Sequence, residues 1–318
     1  MCWRCTAAVA TVARPYGQKE GDRMPSRLQS ILAFFVGPLV ILCITSGCVQ
    51  KTDDGLRVVA TTPILADLAA QVAGPQVKVK SLIPAGADPH TFEVAPSVAR
   101  VVAEADLIVA NGLGLEGSFL GVIEANKSAQ AVLVILGQEV APGGENVDPH
   151  LWLDPRLAAE YVKRIAEAMS LVDPSRADEY RQRAAIYIEE LRQLHDRVRQ
   201  QIAGIPVERR KLVATHRAFS WMAHAYGIEE VGYLVTAPEE EPTPAWLAEL
   251  RHRILSQKVP AVFIEPYLEA EDQALSQLAE EVGIKVCVLY VDTLDDKVSS
   301  YLKLMEYNAQ ELVGCLGG

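Results

Sequence analysis

A stretch of about thirty residues, from Pro174 to Ala203, contains no turn signal and repeats its apolar residues at helical spacing. Each helical residue adds ~1.5 Å, so a helix over this whole stretch would be ~45 Å long. Its charged residues interrupt any sustained heptad, which disfavours the alternative of a coiled-coil dimer. In a chain of 318 residues, a helix of this length indicates a spine between two lobes.

On both sides of this helix, short apolar runs alternate with amphipathic stretches, which is the pattern of a parallel sheet covered by helices. Before it, strands are predicted at residues 57–61, 77–83, 107–110 and 131–136, and helices at 64–72, 97–105 and 155–169. After it, strands are predicted at residues 211–214, 231–234, 261–264 and 285–290, and helices at 219–226, 244–257, 269–281 and 299–313. The predicted fold class is therefore α/β, with two lobes, each a parallel-type sheet flanked by helices, bridged by one long rigid helix.

The N-terminal segment is typical of an export signal. Residues 31–45 form an uncharged apolar run that is shorter than the roughly 20 residues of a membrane span but has the length of a signal-peptide core. Small residues then precede Cys48, as at a lipoprotein cleavage site, so we expect Cys48 to carry a lipid anchor. A plain signal peptide cut elsewhere and a retained anchor helix are the alternatives, and Met24 is an alternative start.

These observations predict five regions of the chain. They are a leader at residues 1–47, a tether at 48–55, an N-terminal lobe at 56–173, a linking helix at 174–205 and a C-terminal lobe at 206–318. The net charge is −11, and the leader alone contributes five basic and two acidic residues, or +3. The rest of the chain therefore stands at −14, a charge that repels phosphate backbones and excludes nucleic acid as a partner.

Four side chains are candidates for a metal site. Two of the six histidines end identical Asp-Pro-His tripeptides, at His90 and His150, and His216 and Asp292 each follow a predicted strand. Three of the four lie just past the carboxyl end of a strand, where open parallel sheets bind ligands. Three imidazoles and one carboxylate suffice for a four-coordinate site. Spacing alone leaves open that these are unrelated loop histidines.

Nine motifs connect this chain to a known family. In order they are GADPHTFE (86–93), ADL (105–107), NGLGLE (111–116), DPHLWLDP (148–155), THRAF (215–219), AYG (225–227), EEEPTP (239–244), FIE (263–265) and YVDTL (290–294). With them, the chain resembles the metal-binding solute receptors of ABC-type zinc and manganese importers from Leu56 to the C-terminus. The resemblance implies two lobes bridged by a rigid helix and a metal held in the cleft by His90, His150, His216 and Asp292.

The resemblance also implies a function. The chain would be an extracytoplasmic, lipid-anchored or periplasmic monomer that captures a divalent metal and delivers it to an ABC-type membrane permease. The donor set suits Zn²⁺, whereas manganese, the alternative, prefers more oxygen ligands, and manganese-selective relatives commonly place a carboxylate where His216 stands. A closed four-ligand shell leaves no position for an activated water, so no enzyme activity is expected. A secreted zinc-dependent hydrolase and a surface adhesin are the rival functions.

Several other residues have simpler interpretations. Glu265 ends a predicted strand at the same cleft edge, where it either orients a ligand or caps a helix. Periodicity favours a packed core position for His224, while charged neighbours indicate that His195 and His252 are solvated. Cys287 and Cys315 either form a disulfide or remain two buried free thiols. Because imidazoles must be neutral to bind metal, affinity is expected to fall below about pH 6.

Overall fold

The computed structural model describes residues 55–141, 147–238 and 240–318. The predicted leader, Cys48 and all but the last residue of the tether lie outside the described residues. Within the described ranges, no helix combines the length and apolar character that crossing a membrane requires.

The first lobe is built on a four-stranded, all-parallel sheet in the order β2-β1-β3-β4. Its strands are β1 (Val58–Ala60), β2 (Val79–Ser81), β3 (Leu107–Ala110) and β4 (Val132–Ile135). Its helices are α1 (Pro63–Ala73), α2 (Pro96–Glu104), α3 (Phe119–Asn126), α4 (Leu136–Val140) and α5 (Pro155–Val172). Side chains fix where helices begin: Thr62 accepts a hydrogen bond from the Leu65 amide, and Asp154 accepts one from Arg156.

The second lobe repeats this topology with the strand order β6-β5-β7-β8, again all parallel. Its strands are β5 (Lys211–His216), β6 (Glu229–Val235), β7 (Ala261–Ile264) and β8 (Lys285–Val288). Its helices are α7 (Ser220–Tyr226), α8 (Pro244–Gln257), α9 (Glu269–Val282) and α10 (Tyr301–Leu316). Between the lobes runs α6 (Ala177–Ala203), which is preceded by a 3₁₀ turn at Pro174–Arg176. The predicted fold class is confirmed.

A single apolar core joins the two lobes. It contains residues of α1 and α5 on one side, α7 and α10 on the other, and the buried face of α6 between them, including Leu191 and Leu194, which are fully buried. Hydrogen bonds between the lobes reinforce the junction, and two of them are buried: from the Trp152 indole to the Val291 carbonyl (2.9 Å) and from the Tyr301 hydroxyl to the Trp152 carbonyl (2.5 Å). Each lobe also has a smaller apolar cluster of its own beneath its sheet.

The structure corrects two expectations about isolated histidines. His224 lies on the outward face of α7 and is exposed, not packed in the core. His195 is not solvated: its ring stacks on Tyr226 at 5.3 Å between centroids, and its side chain is only 12% exposed. Charged sequence neighbours are a poor guide here, because adjacent residues of a helix point in different directions. His252 is exposed, as predicted.

Cys287 in β8 and Cys315 in α10 form a disulfide. Of the two states that the sequence leaves open, the structure therefore contains the bonded one. The bond ties the closing helix to the outer strand of the second sheet.

Candidate metal centre

The second lobe places its candidate residues at the point where the chain reverses direction across the sheet. From β5 the chain crosses to β6 on one side and later to β7 on the other, so the carboxyl ends of β5 and β7 diverge and leave a crevice. His216 is the last residue of β5, Glu265 directly follows β7, and Asp292 follows β8. Strand β5 thus continues two residues beyond its predicted end and carries His216 itself.

The first lobe presents its two histidines from matching turns. In each Asp-Pro-His tripeptide the aspartate accepts the backbone N–H of the histidine: Asp88 binds that of His90 at 2.9 Å, and Asp148 binds that of His150 at 3.0 Å. The intervening proline fixes one backbone dihedral angle in each turn. This local hydrogen bond explains why the same three residues serve in two unrelated loops.

The structure brings all four predicted residues together. Nε2 of His150 lies 3.2 Å from Nε2 of His90, 3.3 Å from Nε2 of His216 and 3.1 Å from Oδ1 of Asp292. The other carboxylate oxygen of Asp292 lies 3.6 Å from Nε2 of His216 and 3.9 Å from that of His90. Ligand atoms ~2.0–2.1 Å from a tetrahedral zinc ion lie ~3.3 Å from one another, so these separations fit a single four-coordinate ion.

Two carboxylates set the tautomers of the imidazoles. Nδ1 of His150 lies 2.7 Å from Oδ1 of Asp148, and Nδ1 of His216 lies 2.5 Å from Oε1 of Glu265. An ionised carboxylate only accepts hydrogen bonds, so each Nδ1 carries the hydrogen and each Nε2 keeps its lone pair for a cation. Glu265, one of whose two predicted roles was to orient a ligand, contacts His216 in this way.

Asp292 supplies the strongest sign that the cluster is built for a cation. Its side chain is fully buried, and within the described part of the chain neither carboxylate oxygen has a hydrogen-bond partner. Instead, both oxygens face the Nε2 atoms of three histidines. A buried unpaired carboxylate is costly, and either a metal ion or protons on the imidazoles would remove that cost.

The pKa values of the cluster show how burial and the neighbouring charges oppose each other. Burial alone would lower the pKa of His150, but Asp292 and Asp148 raise it to about 10. Burial also lowers the pKa of His216, but Glu265 and Asp292 raise it by more, so the pKa of His216 is raised overall. In the described ranges no carboxylate binds the second ring nitrogen of His90, and burial lowers the pKa of His90 to about 3. Burial would raise the pKa of Asp292, but the histidines, led by His150, lower it to about 2.

Buried acids anchor the strand ends behind the cluster in both lobes. Glu116 accepts the Thr61 hydroxyl at 2.8 Å and the Asn111 amide at 2.6 Å, and so ties the end of β1 to the end of β3. Asp272 accepts the Thr215 hydroxyl at 2.6 Å and the Glu265 amide at 3.1 Å, and so ties β5 to β7. The two lobes therefore use the same device at equivalent positions.

Sequence reasoning did not assign roles to these supporting residues. The aspartate of each Asp-Pro-His tripeptide was visible, and its side chain at that spacing is a signal for a local turn. Glu116 and Asp272 gave no comparable signal, because their partners at the ends of β1 and β5, Thr61 and Thr215, lie 55 and 57 residues away in sequence.

The cluster is nearly sealed from solvent. The side chains of His150, His216 and Asp292 are at most 1% exposed, whereas that of His90 is 9% exposed. A metal ion would therefore enter beside His90. All four donor groups converge on one point, a geometry that suits capture and holding of an ion.

Comparison with known proteins agrees with this geometry. Residues 58–315 match the family described as zinc-uptake complex component A, periplasmic (ZnuA). Among the relatives, the metal ABC transporter substrate-binding lipoprotein FimA of Streptococcus parasanguinis is 29% identical over 306 residues, covering 90% of this chain and 97% of its own length. The manganese ABC transporter substrate-binding lipoprotein PsaA of Streptococcus pneumoniae is 28% identical over 305 residues, with the same two coverages.

Solved structures give the same answer for the fold. The periplasmic zinc binding protein TroA of Treponema pallidum superposes with a TM-score of 0.74 at 27% identity, covering 83% of this chain and 100% of its own. The Mn-bound periplasmic metal binding protein of Candidatus Liberibacter asiaticus does so with a TM-score of 0.73 at 26% identity, covering 82% and 100%. The chain therefore belongs to the ZnuA family of metal substrate-binding proteins of ABC transporters and, as its sequence predicted, it is a receptor and not an enzyme.

Proposed function

We propose that this chain captures a divalent transition metal, with zinc favoured, through His90, His150, His216 and Asp292, and hands it to an ABC-type permease. The observation that carries the proposal is the fully buried Asp292 carboxylate, whose oxygens lack hydrogen-bond partners among the described residues and face three imidazole nitrogens. A single cation bound there would neutralise the carboxylate and accept three lone pairs.

The donor set favours zinc over manganese. Zinc takes nitrogen ligands readily in a tetrahedral shell, while manganese prefers oxygen donors and a larger coordination number. Relatives with related sequences are named for manganese as well as zinc, so family membership alone does not decide between the two metals. The choice of zinc rests on the three imidazoles of this chain.

Location and delivery follow from the leader and the family. A leader at residues 1–47 and a lipid on Cys48 would hold the receptor at the outer face of the cytoplasmic membrane, within reach of a permease. The FimA and PsaA relatives are named as lipoproteins. The receptor acts as a monomer, because each chain supplies a complete set of ligands.

Native mass spectrometry tests the proposal directly. The chain from residue 49 onward is purified without chelator and offered zinc and manganese together. One tightly held zinc per chain, resistant to excess manganese, is the expected result. Preferential manganese would overturn the choice of metal and leave the receptor role standing, whereas no bound metal would refute the site. A His216→Ala variant is the matched control that should lose the ion.

A further inference from the structure

Tyr267 links two of the candidate ligands through one hydroxyl group. It lies two residues beyond Glu265 and donates its O–H to Oε2 of that glutamate at 2.9 Å, while its oxygen accepts the backbone N–H of Asp292 at 2.7 Å. The other glutamate oxygen binds Nδ1 of His216. An unbroken chain of hydrogen bonds therefore runs from His216 through Glu265 and Tyr267 to Asp292.

The direction of every bond in this chain is fixed. A backbone N–H can only donate, and an ionised carboxylate can only accept. The Tyr267 hydroxyl must therefore accept from Asp292 and donate to Glu265, which leaves the second oxygen of Glu265 to accept from His216. Each group has one arrangement, so the chain restrains both the His216 ring and the Asp292 backbone.

The first lobe holds its histidines differently. His90 and His150 are each fixed by the aspartate of their own tripeptide, and among the described residues no hydrogen-bonded side chain links those two aspartates. In the part of the chain that the structure describes, a hydrogen-bonded side chain therefore connects two ligand positions to each other in the second lobe and not in the first.

We propose that Tyr267 is a positioning residue that fixes His216 and Asp292 relative to each other and thereby favours a four-coordinate metal over one that needs more ligands. The proposal rests on the metal-receptor function above and adds a determinant of selectivity. With its backbone held, Asp292 keeps its carboxylate in one place among the three imidazoles. Without the hydroxyl, the Asp292 backbone and the Glu265 carboxylate behind His216 would both lose a restraint, so the ligands could spread into the larger, more oxygen-rich shell that manganese prefers.

The test removes only the hydroxyl, in Tyr267→Phe, and measures zinc and manganese affinities by chelator competition. Loss of a group that supports a ligand typically weakens metal binding by about 10- to 100-fold. We expect a zinc loss in this range and a smaller manganese loss, so that the zinc-to-manganese affinity ratio falls. The visible absorption of bound Co²⁺ should weaken too, because four-coordinate Co²⁺ absorbs more strongly than five- or six-coordinate Co²⁺.

Tyr290→Phe is the matched control. Tyr290 lies two residues before Asp292, and its hydroxyl donates to Asp295 at 2.6 Å without touching a candidate ligand. The Tyr290→Phe variant should leave the zinc-to-manganese affinity ratio and the Co²⁺ spectrum unchanged. A purely structural role for Tyr267 would lower the melting temperature of the metal-free protein and shift neither the ratio nor the spectrum, and that result overturns the proposal.

A double-mutant cycle tests the route through Glu265. If Tyr267 acts on His216 through this glutamate, the zinc affinity lost by Tyr267→Phe combined with Glu265→Gln will be smaller than the product of the two single losses. Independent, multiplicative losses would contradict that route. A wild-type chain that binds neither metal would refute the receptor function itself, whereas a wild-type chain that binds zinc beside a Tyr267→Phe variant of unchanged selectivity refutes only the role of Tyr267.

Discussion

Metal binding should expel protons from this protein, because protons and metal compete for the same imidazole nitrogens. In the metal-free cluster, Asp292 and Asp148 raise the pKa of His150 to about 10 against the effect of burial, and the pKa of His216 is also raised. An ordinary imidazole has a pKa near 6.5. At pH 7.5 His150 therefore holds a proton that a metal must displace.

The size of the change in metal affinity with pH follows from the number of protons released. A group whose pKa is raised binds its proton below that pKa, so metal affinity rises with pH up to about 10 and falls as the pH is lowered. Each released proton changes the affinity about tenfold per pH unit, or ~1.4 kcal/mol. Between pH 6 and pH 8, release of one proton would strengthen zinc binding about 100-fold. Unshifted imidazoles would show no further gain above about pH 7.

Calorimetric titration with zinc at pH 7.5, in two buffers of different ionisation enthalpy, counts the protons released. We expect at least one proton per metal ion, from His150. Asp148→Asn removes the charge that holds the proton on His150, and its single oxygen can replace only one of the two that Asp148 offers, one to His150 and the other, at 3.0 Å, to the Ser220 backbone N–H. Proton release should fall in this variant. Zero release in the wild type, with an affinity that is flat between pH 7 and pH 9, would refute the electrostatic argument.

Three further variants test other parts of the structure. His216→Ala should weaken zinc binding by orders of magnitude with an unchanged circular-dichroism spectrum; wild-type affinity would remove His216 from the ligand set. Leu194→Ala, in the fully buried seam of α6, should cost about 2–5 kcal/mol in urea unfolding, and the continuous core predicts one transition, so two separate transitions would contradict it. Replacing Cys287 and Cys315 by serine opens a loop of 28 residues and should cost ~3–4 kcal/mol; an unchanged melting temperature would show that the disulfide contributes little.

Much of the fold could be predicted because strong local patterns determined it. The bounds of β3 and β7 match the prediction residue for residue, since both are short apolar runs with clear turn signals on either side. Helices α3 and α4 were missed. The first has eight residues behind a glycine-rich turn and the second has five, so neither is long enough to show a helical period.

The candidate site likewise has features that the sequence predicted and features that it could not predict. The four candidate ligands were identified from spacing and family motifs, and the structure brings their ligand atoms within 4.8 Å of one another. The raised pKa of His150 could not be read from the sequence, because it depends on how close Asp292, 142 residues away, approaches. For that reason the sequence predicted loss of binding below about pH 6, while the structure moves the onset to higher pH. Tyr267 was missed for the same reason, since its role depends on the distant Asp292 backbone.

The apolar core that runs unbroken through α6 has a consequence for how receptors would compete for docking on a permease. Two lobes that share one core and are joined by buried hydrogen bonds would resist wide opening, so the empty and loaded forms of the proposed receptor would present similar outlines. If the receptor docks on a permease as proposed, an empty copy would then compete with a loaded one for the docking position. Uptake by such a system would depend on the fraction of receptors that are loaded, and producing more receptor than there is metal to fill would slow import.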